Sequence, residues 1–261
     1  MPPLFCIVSL GRFKGKTTLL EWLVRQLSRS GIRIATIKHS TKPLDLEEKD
    51  TWRHLEAGSL EVAYVSPNEL ITIRRSTASL KDAVEALHVD PDLILAEGFK
   101  LSSHPKILCA ADLHEVDEAL KSIQNIVAIT GKIAEEGHSF SQIKVMKEAE
   151  VLEFVRKAVI DYWLNKIPGL NCGKCSYGSC SSLAKAIKEG KATIRECVMH
   201  GVSITRLRIG GEEVPLGKWP QSLLRELLKA FVKSLKLKDL KLDAVGKMIV
   251  EIDLRAFAEE E

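Results

Sequence analysis

Apolar runs and amphipathic stretches alternate along the first two thirds of this chain. Short runs rich in Val, Ile and Leu, bounded by Gly, Pro or polar residues, predict β-strands. Stretches with apolar residues three or four positions apart predict helices. The strands are predicted at residues 5–9, 32–38, 62–66, 70–74, 92–97, 106–110 and 126–130, and the helices at 18–30, 50–58, 80–87, 113–123 and 151–166. This alternation predicts an α/β fold, with a mostly parallel sheet covered by helices on both faces.

The pattern changes where Ile167-Pro168-Gly169 ends the last of these helices. A cysteine-rich segment follows as far as residue 200. The remainder predicts a small α+β unit, with strands at 202–209 and 247–254, a hairpin turn at Gly210-Gly211 and a helix at 220–235. We therefore predict three units, which are residues 1–166, 167–200 and 201–261.

A loop with two glycines joins the first predicted strand to the first helix. This loop ends in Gly15-Lys16-Thr17, and the order of strand, loop and helix is that of a phosphate-binding P-loop. Gly15 lets the backbone approach phosphates, Lys16 would bind the β- and γ-phosphates, and the Thr17 hydroxyl would bind Mg²⁺. The candidate nucleotide-binding residues of the loop are Gly11, Arg12, Phe13, Lys14, Gly15, Lys16, Thr17 and Thr18.

The loop departs from the usual Gly-x4-Gly-Lys-Ser/Thr pattern. Leu10 stands where the first Gly belongs, and Gly11 follows one position later. The alternative to a phosphate site is a basic surface turn that caps an ordinary βα unit. Arg12 and Lys14 add positive charge, which either binds anions or is solvated.

Glu97 is a candidate metal ligand because it ends an apolar strand. In an open parallel sheet, ligands bind beyond the carboxyl ends of the strands, and the phosphate loop also leaves a strand at that end. Glu97 and Thr17 are therefore expected to meet around one metal ion. The alternative is a solvated carboxylate at the end of a strand.

Several segments of the chain carry a family resemblance. They are Gly15-Lys-Thr-Thr-Leu-Leu20, Ile37-Lys38-His39, Lys49-Asp50-Thr-Trp-Arg53-His54 with Ala57-Gly58, and Leu95-Ala-Glu97-Gly98-Phe99-Lys100 with Pro105-Lys106-Ile107. Together they resemble the molybdopterin-guanine dinucleotide biosynthesis adaptor protein B (MobB) family, over about residues 4–160. The segment Arg12-Phe13-Lys14 departs from the family's loop, which is commonly richer in Ser and Gly.

The resemblance implies a P-loop protein that binds GTP and hydrolyses it weakly with Mg²⁺, often as a homodimer. Such proteins assist the molybdenum cofactor guanylyltransferase, which joins GMP to molybdopterin, and the cofactor metal is molybdenum or tungsten. Lys16, Thr17 and Glu97 are then the catalytic candidates. Further nucleotide-binding candidates are Lys38, Asp50, Arg53, His54 and Gly98. The cations among these suit an anionic nucleotide or a pterin phosphate, and the alternative is a solvated helix face.

Four cysteines form a compact motif with the spacing C-x2-C-x4-C-x16-C. They are Cys172, Cys175, Cys180 and Cys197. Four sulfur ligands suit a 4Fe-4S cluster or a zinc ion, and the single C-x2-C favours the iron–sulfur cluster over zinc. The segment also resembles the short 4Fe-4S domain found in Rnf-type electron-transport proteins and in corrinoid iron–sulfur proteins. Cys6 and Cys109 fall in predicted strands and are expected to be core residues.

Composition narrows the classes of partner. A net charge of +3 and a pI near 8.4 are too mild to favour nucleic acid as the main partner. No apolar run reaches the ~18 residues that a membrane span needs. The chain begins Met-Pro-Pro without a basic region, so we expect a cytoplasmic protein rather than a secreted one. In such a reducing compartment six cysteines favour metal or redox chemistry over disulfides.

Three functions therefore remain open from the sequence. The first is a GTP-binding accessory protein of molybdenum or tungsten cofactor biosynthesis that carries an iron–sulfur module. The second is an electron-transfer or metal- and cluster-delivery protein whose nucleotide domain gates the metal module. The third is a P-loop kinase of a small metabolite, for which the sequence nominates no clear general base.

Overall fold

The structure is a computed structural model. It describes residues 1–11, 14–40, 50–74, 78–135, 143–169, 171–200, 207–209, 212–214 and 218–235. The chain divides into two compact units, Met1–His200 and Gly201–Glu261, which are described separately.

The first unit alternates strands and helices as far as residue 166. Its strands are β1 (Leu4–Val8), β2 (Ile34–Lys38), β3 (Glu61–Val65), β4 (Leu70–Arg74), β5 (Leu93–Glu97), β6 (Lys106–Cys109), β7 (Ile126–Thr130) and β8 (Lys144–Val145). Its helices are α1 (Lys16–Arg29), α2 (Asp50–Glu56), α3 (Leu80–Glu85), α4 (Leu113–Ser122), α5 (Glu148–Lys166) and α6 (Cys180–Lys188). Short 3-10 helices cover Lys132–Glu135 and Ile194–Glu196.

Six strands form one parallel sheet in the order β2-β5-β1-β6-β7-β8. The predicted α/β fold with a mostly parallel sheet is therefore confirmed. β1 is central and buried throughout, and its side chains alternate between two hydrophobic clusters. Helices α1 and α5 cover the face reached by Phe5 and Ile7, while α3 and α4 cover the face reached by Cys6 and Val8.

Two elements differ from the sequence prediction for simple reasons. Helix α5 begins at Glu148 rather than at residue 151, because its first turn is polar and adds nothing to the apolar spacing. Glu150 accepts a hydrogen bond from the Lys147 N–H at 2.8 Å and caps this start. Strand β8 has only two residues, which is too short to produce an alternating pattern.

The predicted strands around Pro67-Asn68 form a separate antiparallel hairpin. β3 and β4 pair with each other along their whole length and make a two-stranded sheet of their own. The Ser66 N–H donates to the Glu69 carbonyl at 2.9 Å and closes the turn. Helix α2 precedes this hairpin and contacts β3.

The cysteine-rich segment shares the core of the sheet. Leu183, Ile187 and Ile194 are buried in the same hydrophobic cluster as Leu27 of α1 and Val155 of α5. Residues before and after 167 therefore contribute to one core within the first unit. The division into units at 166 and 167 stays a prediction.

The second unit contains an antiparallel pair, β9 (Leu207–Ile209) with β10 (Glu212–Val214), and helix α7 (Lys218–Ser234). The Gly210-Gly211 turn and residues 202–206 and 247–254, predicted to be strands, lie outside the described residues. Across the part of the chain that is described, no helix is long and apolar enough to cross a membrane.

Candidate functional site

The carboxyl ends of the central strands converge at one edge of the sheet. β1, β2 and β5 are parallel neighbours, so the loops after Val8, Lys38 and Glu97 leave the sheet on the same side. The P-loop segment follows β1 directly. The fold thus places the loop glycines and Glu97 on the edge where α/β proteins bind ligands.

Gly15 and Lys16 have the geometry of a phosphate loop. Gly15 has φ +79°, which favours glycine, and its carbonyl accepts the Leu19 N–H of α1 at 2.9 Å. The Lys16 ammonium curls back over the loop and donates to the Ser9 hydroxyl at 2.7 Å and to the Gly11 carbonyl at 3.1 Å. The start of α1 and the Lys16 charge therefore face the same space.

Thr17 and Glu97 are in direct contact although they lie 80 positions apart. The Thr17 hydroxyl donates to Glu97 Oε2 at 3.0 Å. The Lys38 ammonium lies 3.1 Å from both oxygens of the same carboxylate. A hydroxyl and a carboxylate side by side match the hard oxygen ligands that Mg²⁺ prefers, and Lys38 balances the charge of Glu97.

The other predicted loop residues have different surroundings. Lys14 forms an ion pair with Glu115 of α4, and this hydrogen bond raises the pKa of Lys14 above its ordinary value. Burial acts to raise the pKa of Glu115, but the hydrogen bond from Lys14 outweighs it and the pKa is lowered. Thr18 is exposed in the first turn of α1. Arg12 and Phe13 lie outside the described residues.

Asp50, Arg53 and His54 lie on a different element, helix α2. Arg53 and Asp50 pair with each other at 3.5 Å, and both side chains are largely exposed. Among the described residues, no hydrogen bond or ion pair joins these three to Lys16, Thr17 or Glu97. The structure therefore brings Lys38 to Glu97 but leaves the α2 residues on a solvated face, and their binding role stays a prediction.

A large cavity opens beside the phosphate loop. Its volume is about 1040 Å³, and Gly15 and Trp22 form part of one wall. Thr130 and Gly131, at the end of β7, form part of another. The Thr130 hydroxyl is buried and has no hydrogen-bond partner among the described residues. Space and free polar groups for a ligand thus adjoin the loop.

Two of the six cysteines belong to the core. Cys6 and Cys109 are buried in the sheet, as their positions in β1 and β6 predict. Burial raises the pKa of both thiols, to about 12 for Cys109. They are therefore neutral thiols at physiological pH and poor metal ligands.

The other four cysteines line one compact segment. Cys172 is exposed, Cys175 and Cys180 are half-buried, and Cys197 is buried in the core. Cys180 begins α6, and its N–H donates to the Asn171 side chain at 3.0 Å, so this helix start is tied to the loop before it. Helix α6 and the 3-10 helix then lead the chain to Cys197.

The chemistry of these four donors fits a cluster or zinc, since all are free thiols and three of them fall within nine residues. In the described part of the structure, however, no three His, Cys, Asp or Glu side chains lie close enough to hold a metal ion. The metal ligation is therefore a proposal based on donor type and spacing.

Comparison with known proteins identifies the family. A family model described as "Molybdopterin guanine dinucleotide synthesis protein B" (MobB) matches residues 5–132. A Haemophilus influenzae protein named "Molybdopterin-guanine dinucleotide biosynthesis adapter protein" is 36% identical over 119 residues, which are 42% of this chain and 67% of that protein. The chain belongs to the MobB family.

Further matches agree with membership of the MobB family. A Bacillus subtilis protein named "Probable molybdopterin-guanine dinucleotide biosynthesis adapter protein" is 32% identical over 132 residues, 48% of this chain and 75% of that protein. The crystal structure of Bacillus subtilis MobB superposes with a TM-score of 0.50 at 21% identity, covers 60% of this chain and 98% of that one, and bears on the fold alone. A separate model, described as "Putative Fe-S cluster", matches residues 167–199.

The structure also reveals an anchor between the MobB-type domain and the cysteine segment. Asp92, which is 3% exposed just before β5, accepts the Trp163 indole N–H at 2.9 Å and the Arg33 N–H at 2.8 Å. Arg195, two residues before Cys197, donates to the same carboxylate at 2.7 Å and also to the Gly31 carbonyl. One buried carboxylate thus joins β5, α5 and the segment that carries the cysteines.

Sequence reasoning missed three contributors to these MobB-family sites. Ser9 binds Lys16, Lys100 donates to the Leu10 carbonyl at 3.1 Å, and Asp92 binds Arg195. Lys100 stands in the same Glu-Gly-Phe-Lys segment as Glu97, which was an available signal. Asp92 gave none, since its partner lies 103 positions away.

Proposed function

We propose that the protein is a GTP-binding adapter of molybdenum cofactor biosynthesis, which assists the attachment of GMP to molybdopterin. The observation that carries this proposal is the contact of Thr17 with Glu97 beside a phosphate loop, in a chain of the MobB family. The names of the Haemophilus and Bacillus relatives support the same pathway. The cofactor metal is molybdenum or tungsten.

The residues divide the binding of a nucleotide among them. The N–H groups at the start of α1 and the Lys16 ammonium would bind the phosphates. Thr17 and Glu97 would hold Mg²⁺, which neutralises the charge that develops on the phosphates when the terminal one is transferred. Lys38, now paired with Glu97, would remain near that charge. Positioning and charge stabilisation by these groups would support slow GTP hydrolysis.

The cavity beside Gly15 and Thr130 is the place proposed for the nucleoside. It adjoins the loop, and its volume of about 1040 Å³ is ample for a purine nucleoside. The unpaired Thr130 hydroxyl offers one polar contact there.

Titration of the full chain with GTP and with ATP, each with Mg²⁺, tests this function. We expect GTP to bind at least about tenfold more tightly, a difference of about 1.4 kcal/mol. Thr17→Ala is expected to weaken GTP binding with Mg²⁺ present and to change it little in EDTA, because the hydroxyl acts through the metal. Equal affinity of the wild type for the two nucleotides would contradict the GTP assignment.

The partners follow from the proposed role. The molybdenum cofactor guanylyltransferase and molybdopterin are the expected partners, and the protein is expected to act as a homodimer in the cytoplasm. Neither nucleic acid nor a membrane is needed for this role.

We also propose that Cys172, Cys175, Cys180 and Cys197 bind a 4Fe-4S cluster. The family match at residues 167–199 and the four free thiols support it. Protein purified without oxygen is expected to be brown, with about four iron and four sulfide per chain. Cys175→Ser is expected to lose the colour, whereas Cys109→Ser, which changes a core thiol, is expected to keep it. A colourless protein with one zinc per chain would reject the cluster.

A second function is favoured by the anchor at Asp92. Because Arg195 ties the cysteine segment to the strand that carries Glu97, the nucleotide domain is also suited to gate an electron-transfer or cluster-delivery module. A shift of the cluster potential on addition of GTP would favour this role over pterin chemistry alone.

A further inference from the structure

The turn after β5 has an unusual backbone conformation. Gly98 and Phe99 both have positive φ angles, of 97° and 58°. This conformation is ordinary for glycine but uncommon for an aromatic residue, and it persists only where the surroundings impose it. Such residues cluster at functional sites, and this turn directly follows Glu97.

Contacts with two neighbouring strands impose the turn. The Gly98 N–H donates to the Ile7 carbonyl of β1 at 2.9 Å. The Phe99 ring packs against His39, with ring centroids 4.9 Å apart. A Cβ at position 98 would lie 3.0 Å from the His39 Cβ, so the packing leaves no room for a larger residue there.

A buried lysine fixes the far side of the same turn. Lys106 is fully buried in β6 and donates to the carbonyls of Ser102 and His104. The Ser102 N–H in turn donates to the Phe99 carbonyl at 3.1 Å. The segment between β5 and β6 is therefore held at both ends, and the position of Lys100 within it is set by the fold.

This turn brings the Lys100 ammonium to the phosphate loop. Lys100 donates to the Leu10 carbonyl at 3.1 Å, and Lys16 donates to the next carbonyl, that of Gly11, at 3.1 Å. Burial and the nearby charge of Lys16 lower the pKa of Lys100 below its ordinary value. Two ammonium groups held together repel each other, and a bound polyanion would relieve that repulsion.

We propose that Lys100 is a second cation of the phosphate site, which binds the terminal phosphate of a nucleoside triphosphate beside Lys16. The inference rests on the proposed nucleotide binding. Lys16 of a P-loop reaches the β- and γ-phosphates, so an ammonium on the adjacent carbonyl faces the same part of the ligand. A strained turn that carries Glu97 and Lys100 together then supplies both a metal ligand and a phosphate ligand.

The alternative is a purely structural role, in which Lys100 only ties the turn to the Leu10 carbonyl. The two roles differ in their dependence on the ligand. A structural tie affects the binding of a diphosphate and a triphosphate alike, whereas a ligand of the terminal phosphate acts on the triphosphate alone.

The experiment compares the affinities of GTP and GDP, each with Mg²⁺, for the wild-type full chain and for Lys100→Met. We expect Lys100→Met to weaken GTP binding about tenfold or more and GDP binding by less than about threefold, as for one lost charge-assisted hydrogen bond. Lys100→Arg keeps the charge and is expected to restore part of the GTP affinity. Lys121→Met is the matched control, because it removes an exposed lysine on α4.

The outcomes separate this proposal from the function beneath it. A wild-type protein that binds neither nucleotide overturns the proposed function and the role of Lys100 with it. A wild-type protein that binds GTP, with equal losses of GTP and GDP affinity in Lys100→Met, overturns the role of Lys100 alone. A selective loss of GTP affinity, with thermal unfolding unchanged, supports it.

Discussion

Replacing Asp92 with alanine is expected to lower the free energy of unfolding by about 3 kcal/mol, the cost of leaving one partner of a buried ion pair without the other. Asp92 is almost fully buried and binds the Arg195 guanidinium, the Trp163 indole and the Arg33 N–H. The value lies at the low end for buried pairs because the Arg195 side chain is 34% exposed and water screens part of its charge.

Urea unfolding of the full chain, followed by circular dichroism, measures this change. Asp90→Ala is the matched control, since Asp90 lies two positions away, is 60% exposed and pairs with Arg33 only at 3.7 Å. The control is expected to change the free energy of unfolding by less than about 0.5 kcal/mol. Equal effects of the two substitutions would show that Asp92 is not an anchor of the cysteine segment.

Replacing Lys16 with alanine is expected to weaken GTP binding about 100-fold, or about 2.7 kcal/mol, because a charged phosphate contact is lost. The free energy of unfolding is expected to change by less than about 1 kcal/mol, since Lys16 is half-buried and its partners, Ser9 and Gly11, stay accessible to water.

Isothermal titration with GTP and Mg²⁺ measures the affinity of Lys16→Ala. Lys81→Ala serves as the control, because Lys81 is 74% exposed on α3 and is expected to leave the affinity unchanged. If Lys16→Ala bound GTP as tightly as the wild type, the loop after β1 would not be the phosphate site.

The sheet and the meeting of Thr17 with Glu97 could be anticipated from the sequence. Apolar runs separated by helical spacing predict parallel strands, and parallel strands end at one edge, so residues 80 positions apart meet without any long-range signal. Strand β8 could not be anticipated, because two residues carry no period.

The polar network around the site was much less predictable. A cation next to a motif has the same appearance in a sequence whether it binds a ligand, as proposed for Lys100, pairs with a carboxylate, as Lys38 does, or is solvated, as Arg53 is. Asp92 was harder still, since an aspartate after Pro91 reads as an ordinary strand start and Arg195 reads as a surface charge. Partners of this kind are set by tertiary packing rather than by local pattern.

The buried indole at the anchor provides the protein with an intrinsic optical label. Trp163 donates to Asp92 at 2.9 Å and lies under the Arg195 guanidinium, 5.8 Å from the ring centroid. Its fluorescence emission depends on both charges, so it reports whether the cysteine segment stays seated on the sheet. Detachment of that segment during iron loading or depletion could thus be followed in solution without any added dye.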